Sequence, residues 1–228
     1  MTLHKTLQVR PVSAPAAFSL PVHPVLQRLY AHRGLADAND LGRSAQQLLP
    51  YQLLKGMPQA VALLLDARQQ QQRILIVGDF DADGATSTAT LLAGLRALGF
   101  ANVDFLVPNR FEYGYGLSVE MAELALRHGA ELIVTVDNGI SAIEGVARAK
   151  AAGVRVLVTD HHLAGAELPD ADAIVNPNQP GCEFPSKALA GVGVAFYLLL
   201  AVRAALREQG AFTQLPEPNL AELLDLVA

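Results

Sequence analysis

Three aspartates on alternate positions, Asp79, Asp81 and Asp83, stand just before a glycine in VGDFDADGATS, residues 77–87. Carboxylates this close push one another's pKa upward unless a cation compensates them. Metal binding is therefore the first chemistry to test. D-x-D-x-D-G opens an EF-hand calcium loop, but that loop closes with a bidentate Glu at its twelfth position, which counted from Asp79 is Thr90. An EF-hand is also entered from a helix, whereas RILIV, residues 73–77, reads as a short buried strand. The calcium reading is set aside.

Three more polar segments share this placement. PNRFEYGYG (108–116), DNG (137–139) and DHH (160–162) each follow a β-branched run, as the aspartate triplet does. If those runs are parallel strands, their carboxyl ends form one edge where open α/β sheets bind ligands. That edge would gather Asp79, Asp81, Asp83, Asp137, Asp160, His161 and His162. Oxygen ligands with one or two imidazoles suit manganese or magnesium, with zinc or iron as alternatives. Alternate spacing aims the first three aspartates to one side, so that carboxylates can bridge two ions about 3.5–4 Å apart. Such a pair hydrolyses phosphate esters by activating a water and clamping the attacking and leaving oxygens.

Each segment taken alone has a plainer reading. DNG is a common turn, adjacent histidines are commonly a solvated pair, and Asp83 before Gly84 could only cap a helix. In PNRFEYGYG, Arg110 suits bidentate phosphate recognition and Asn109 can donate to a phosphoryl oxygen. Gly114 and Gly116 let backbone approach closely, and Tyr113 and Tyr115 can stack on a base. The alternatives are a surface salt bridge for Arg110 and packing for the tyrosines. LAGVGVAF (189–196) places Gly191 and Gly193 where a helix N-terminus could meet a phosphate, or where two helices pack closely. It lacks the third glycine of a dinucleotide fingerprint and the G-K-[ST] of a P-loop, so no nucleotide cofactor is expected.

The elements that must position these residues alternate from Arg73 onward. RILIVG, VDFLV, ELIVTV and VRVLVT read as strands. Between them lie helices: one ended by Gly99, one from Ser118 to Gly129, and one with Ser141 as N-cap and Gly153 after its end. Such alternation predicts an α/β fold, a parallel sheet flanked by helices, over residues 73–228. Residues 1–72 differ. After a proline-spotted start, two helical stretches (25–34 and 44–72, the second interrupted by Pro50 and Pro58) predict a helical N-terminal layer on the sheet. Gln69 to Gln72 read as a solvated helix end. PNLAELLDLVA (218–228) starts as an amphipathic helix with Asn219 as N-cap and stops in apolar residues, so a C-terminally truncated domain and a longer parent are expected.

Composition agrees with a packed core: 228 residues, 51% hydrophobic. A single cysteine, Cys182, forms no internal disulfide, and no leader-like segment opens the chain, so a reducing cytoplasm is expected. The longest apolar stretch, residues 188–202, stops at Arg203, short of the roughly 18–20 residues of a membrane span. It reads as a buried helix, and no membrane partner is expected. The net charge of −5 gives no sign of a nucleic-acid binder. Bound divalent metal would, however, reduce the negative charge that a substrate meets.

Taken in order, GDFDADGATSTA, VPNRFEYGYGLS, VTVDNGIS, VTDHHL, and NPN followed by FPSKALAGVGVAF resemble the motifs of the DHH phosphoesterase superfamily, in particular its RecJ-type single-stranded-DNA exonucleases. The resemblance runs from Leu75 to the end. It implies a 5′-to-3′ exonuclease acting on single-stranded DNA with manganese or magnesium in DNA repair and recombination, beside other repair proteins. Asp81, Asp83, Asp137 and His161 would be metal ligands, with Asp79 a further aspartate at the metals. His162 would touch the scissile phosphate, Asp160 would orient the histidines, and Arg110 would bind phosphate, with Asn109, Tyr115, Gly116, Gly191 and Gly193 also on the substrate side. Tyr113 departs from the acidic or small residue often found before the first glycine. A further aspartate ligand, a DHH-associated domain and an oligonucleotide-binding fold would follow residue 228. Alternatives are a phosphodiesterase for short oligonucleotides or cyclic dinucleotides, a pyrophosphatase, or a non-catalytic phosphate-binding module.

Overall fold

The structure is a computed structural model that describes residue 8 and residues 22–35, 41–42, 45–213 and 216–227. Its residues fall into two compact units, Met1–Leu48 and Leu49–Ala228. In the first, α1 (Pro24–His32) opens with a proline in its first turn, and the His23 ring accepts a hydrogen bond from Val25 N. The proline-spotted segment 9–21 lies outside the described residues.

The second unit begins with a single 3-10 turn, Tyr51–Leu53, and α2 (Met57–Gln69). Pro58 starts α2 rather than interrupting it, because the first turn needs no N–H from it. Then follow β1 (Ile74–Gly78), α3 (Ala82–Ala97), β2 (Val103–Leu106), α4 (Arg110–Tyr113), α5 (Val119–Arg127), β3 (Leu132–Val136), α6 (Ile143–Ala151) and β4 (Arg155–Thr159). A fifth strand, β5 (Ala173–Val175), goes beyond the four expected; α7 (Gly191–Glu208) and α8 (Leu224–Val227) complete the order.

All five strands are parallel, in the order β2-β1-β3-β4-β5. Both faces are covered. Ile74, Ile76, Leu132, Val134 and Leu157 point into a core shared with α2, α3 and α7, whose contacts join α2 to α7 and β5 and α3 to α7. Leu75, Val77, Ile133, Val156 and Val158 point the other way, towards α5 and α6. Period-two alternation thus feeds two cores at once, which is why the strands read as continuous apolar runs. The compact unit reaches back to Leu49, so α2 belongs with the sheet.

Helix ends follow local chemistry. Ser118 caps α5 through Met121 N at 3.1 Å, and Asn219 accepts from Ala221 N where a 3-10 turn precedes α8. Ser141 does not cap α6. A turn bond from Ala142 N to the Gly139 carbonyl delays the helix, and Ala142 takes the cap position with no side-chain bond. Among the described residues no helix is long and apolar enough to cross a membrane.

Candidate metal centre

Register sets the site. Gly78, Val136, Thr159 and Val175 lie side by side across β1, β3, β4 and β5. The next residue on each strand is Asp79, Asp137, Asp160 and Asn176, so four polar side chains emerge at one level. Hydrogen bonds from Asp137 N to the Thr159 carbonyl and from Asp160 N to the Val175 carbonyl, both 3.1 Å, carry the ladder one step beyond the strands. The chain leaves β1 for β2 on one side and returns to β3 on the other, so the order in which strands are added reverses between β1 and β3 while all strands stay parallel. That crevice is where open α/β sheets take ligands.

Asp137 is central. It is 1% exposed and has φ of 60°, a left-handed conformation uncommon outside glycine, asparagine and aspartate. Its Oδ1 lies 3.0 Å from His161 Nε2 but off hydrogen-bonding geometry, so it lacks a donor among the described residues. Burial first, then the charges of Asp83 and Asp81, push its pKa up to about 8. A buried, unpartnered carboxylate beside others is stabilised by a divalent cation. Donor atoms converge accordingly in two groups, Asp79–Asp81–Asp137 and Asp137–His161–His162, each within 4.8 Å. Asp137 belongs to both. Acidic oxygens with imidazole and no thiolate suit manganese or magnesium, so the residues fit such an ion.

The remaining acids are held by backbone. Asp81 caps α3, its Oδ1 accepting from Gly84 N at 2.9 Å. Asp83 reaches across to α7, accepting from Gly191 N and Val192 N at 2.8 Å each, with His161 Nε2 3.5 Å away. Asp79, 3% exposed, accepts from Phe80 N and faces the Tyr115 phenol. Burial and the charges of Asp79, Asp160 and Asp137 raise the Tyr115 pKa well above its ordinary range, keeping it a hydrogen-bond donor.

Asp160 organises the two histidines. Its Oδ1 takes His162 Nδ1 at 2.7 Å and the backbone N–H groups of His161 and His162, while Oδ2 takes Ile140 N. Burial alone would lower the His162 pKa, but the bond and charge of Asp160, with Asp137 and Asp79 behind it, raise it. The rings, 4.6 Å apart, thus differ in aim: His161 towards Asp137 and His162 towards Asp160.

Residues 73–228 match the DHH family, N-terminal domain. The chain belongs to the DHH family. It is 56% identical over 230 residues to the single-stranded-DNA-specific exonuclease RecJ of Salmonella typhimurium, a match covering 100% of this chain and 40% of that protein. Among solved structures, RecJ in complex with Mn2+ from Thermus thermophilus matches with a TM-score of 0.68 and 37% identity, over 90% of this chain and 28% of that one. RecJ in complex with Mg2+ from the same organism gives 0.55 and 33%, over 90% and 24%. The chain spans about 40% of the length of the curated relatives it matches from Salmonella typhimurium and Escherichia coli.

Beyond the DHH triplet itself, the substrate-side residues fall differently. Asn109 spends its Oδ1 on Phe111 N at the start of α4. Arg110 lies on α4, and its side chain is outside the described part of the structure. Tyr113 packs at the edge of the α5–α6 core, while Tyr115 is half exposed and meets the His162 ring edge-on at 6.3 Å. Gly116, with φ of 60°, lies against Asn138. Gly191 has a packing reason: a Cβ there would stand 2.6 Å from Asp137 Oδ1, and at Gly193 one would meet Leu189 at 2.5 Å. Tyr115, Gly116 and His162 line a cleft of about 830 Å³ that also reaches Ile140, Ile143 and Glu144.

Sequence reasoning missed the asparagines. Asn138 is buried and donates to the carbonyls of Val77 and Val136, tying β1 to β3 where the strand order reverses. Asn176 and Asn178 bond to the carbonyls of His162 and His161. The available signal was an amide close after a strand end, in DNG and in NPN.

Proposed function

We propose that this chain is the metal-binding catalytic part of a nuclease that hydrolyses phosphodiester bonds of single-stranded DNA from the 5′ end, in the repair and recombination of damaged DNA. The observation that carries it is Asp137: a buried carboxylate oxygen without a hydrogen bond, shared by two converging donor groups, in a chain of the DHH family. Exonuclease activity on single-stranded DNA and Mn2+ or Mg2+ as cofactor come from the named relatives; a reducing, cytoplasmic setting is read from the lone cysteine.

Asp79, Asp81, Asp83, Asp137 and His161 would hold two manganese or magnesium ions, which supply an acidified water and charge neutralisation at the phosphate. Asp137, common to both donor groups, is the residue suited to bridging. Asp160 fixes the His162 tautomer by accepting from Nδ1, which leaves Nε2 directed at the phosphate. Arg110 and Asn109 bind the phosphate chain, and Tyr115, beside His162, offers an aromatic face to a base. Gly116 keeps the wall beneath that base low, Gly191 brings the amino end of α7 close to Asp137, and Gly193, packed on Leu189, lets that end reach the substrate side.

The test is manganese-dependent release of mononucleotides from 5′-labelled single-stranded and double-stranded DNA by this chain, beside Asp81→Ala. Release from the single strand alone, absent in the variant, is expected. A chain that fails to bind manganese in an EPR titration overturns the reading.

A further inference from the structure

We infer that Asn176 and Asn178, delivered by β5 and the turn after it, are positioning residues that clamp the His161–His162 backbone and so divide the work of the two rings. The inference rests on the metal-dependent reading of the site, and it extends that reading to a strand that carries no metal-binding side chain.

The dipeptide sits in a loop beyond β4, followed by Leu163, which is 81% exposed. Such segments are ordinarily mobile. Here all four of its backbone polar groups are bonded by side chains. Both N–H groups go to Asp160 Oδ1, at 2.7 and 3.2 Å. The His161 carbonyl accepts from Asn178 Nδ2 at 2.5 Å and the His162 carbonyl from Asn176 Nδ2 at 3.0 Å. Asp160 alone would leave both peptide planes free to rotate about its single oxygen. With the carbonyls held from the opposite side, rotation is blocked, and His161 Nε2 stays at Asp137 while His162 Nδ1 stays at Asp160.

The clamp is itself braced. Asn178 N donates to Asn176 Oδ1 at 2.7 Å, and Asn178 Nδ2 also reaches the Lys187 carbonyl at 3.1 Å. Lys187 Nζ, by contrast, ties the outer part of the loop to the carbonyls of Pro177 and Cys182 and bonds neither asparagine side chain; the Lys187 carbonyl that Asn178 reaches is main chain. Loss of hydrogen-bond partners behind metal ligands lowers metal affinity or activity about 10- to 100-fold.

The experiment compares Asn176→Ala and Asn178→Ala with Lys187→Met, which loosens the same loop without touching a histidine carbonyl. Manganese affinity is read by EPR titration, the histidine ring nitrogens by 15N NMR with chelator present, and folding by thermal melts. The asparagine variants should bind manganese about tenfold more weakly or worse and lose the hydrogen-bonded His162 Nδ1 signature. Lys187→Met should lower the melting temperature while leaving both readouts within about twofold of the parent, because no histidine carbonyl loses its donor. If Asn178→Ala unfolds the chain, Asn178→Asp keeps the volume and replaces the donor by a charged acceptor, so that variant is judged on the His162 Nδ1 signature alone, with the same loss expected. Unchanged histidine signals in folded asparagine variants, or equal losses in Lys187→Met, overturn the clamp. A parent that binds no manganese removes the metal reading, and the NMR comparison still decides the clamp.

Discussion

The two edges of this sheet are built from the same strands and treat charge in opposite ways. At the amino edge the acids meet a base or a backbone donor. Arg155 pairs with Asp66 at 2.6 Å, Arg73 faces Asp104, and Glu131 accepts from Arg73 N at 2.7 Å. At the carboxyl edge Asp79, Asp81, Asp83, Asp137 and Asp160 crowd together, and the groups facing them are amide N–H groups, a phenol and two imidazoles, with no Lys or Arg ion pair among the described residues. One edge is neutralised by the chain. The other is arranged so that a cation from outside completes it, at the expense of stability when none is bound.

The sharpest way to break this contrast is Asp137→Asn. Manganese affinity should fall more than about a hundredfold, beyond the effect of losing an outer hydrogen-bond partner. With chelator at about pH 8 the variant should melt at or above the parent temperature, because a neutral amide tolerates both burial and a positive φ. A variant that loses stability along with metal would make Asp137 a structural residue.

Manganese and protons should compete at the same edge. Manganese at about a hundred times its Kd should stabilise the fold by about 2.7 kcal/mol, measured as a shift in the thermal melt. In chelator, the folded chain holds a proton on Asp137 between about pH 4 and its value of about 8, where the unfolded carboxyl has lost it. The folded state then binds more protons than the unfolded one, so the contribution of this proton to stability falls as pH rises through that window and is gone above it. The raised His162 acts in the same direction. A melting temperature in chelator that rises from about pH 5.5 to about pH 8 would contradict this sign.

Most of this arrangement was legible in the sequence because it depends on register. Four β-branched runs and the acids after them are enough to place Asp79, Asp137 and Asp160 at one edge, and the DHH resemblance supplied the histidine roles. What escaped were features that depend on distant partners. Strand β5 has three residues, too short for its period to show, and its importance lies in the asparagines beyond it. Asp83 reads as a metal ligand or, more plainly, as a cap for its own helix; that it also accepts from the first amides of α7, 108 residues away at Gly191, could not be read. Ser141 reads as a cap and is displaced by a local turn bond. Gly191 reads as a phosphate contact or a close-packing position, but that its close neighbour would be Asp137 could not be read.

The smallest effect belongs to the neutralised edge and sharpens the comparison from the other side. Asp66→Ala removes the partner of Arg155, whose side chain is 29% exposed, from a pair whose acid is 39% exposed. Water solvates both groups, so the loss should be about 0.2–1 kcal/mol and the melting temperature should drop by at most about 2–4 °C. Manganese affinity should not change, because the pair sits at the opposite ends of the strands. A larger loss would mean that Gln72, which also bonds Arg155, and Asp66 act as one network rather than a solvated pair. A change in manganese affinity would mean that strain at one edge travels along β4 to Asp160, and the two edges could no longer be treated as independent.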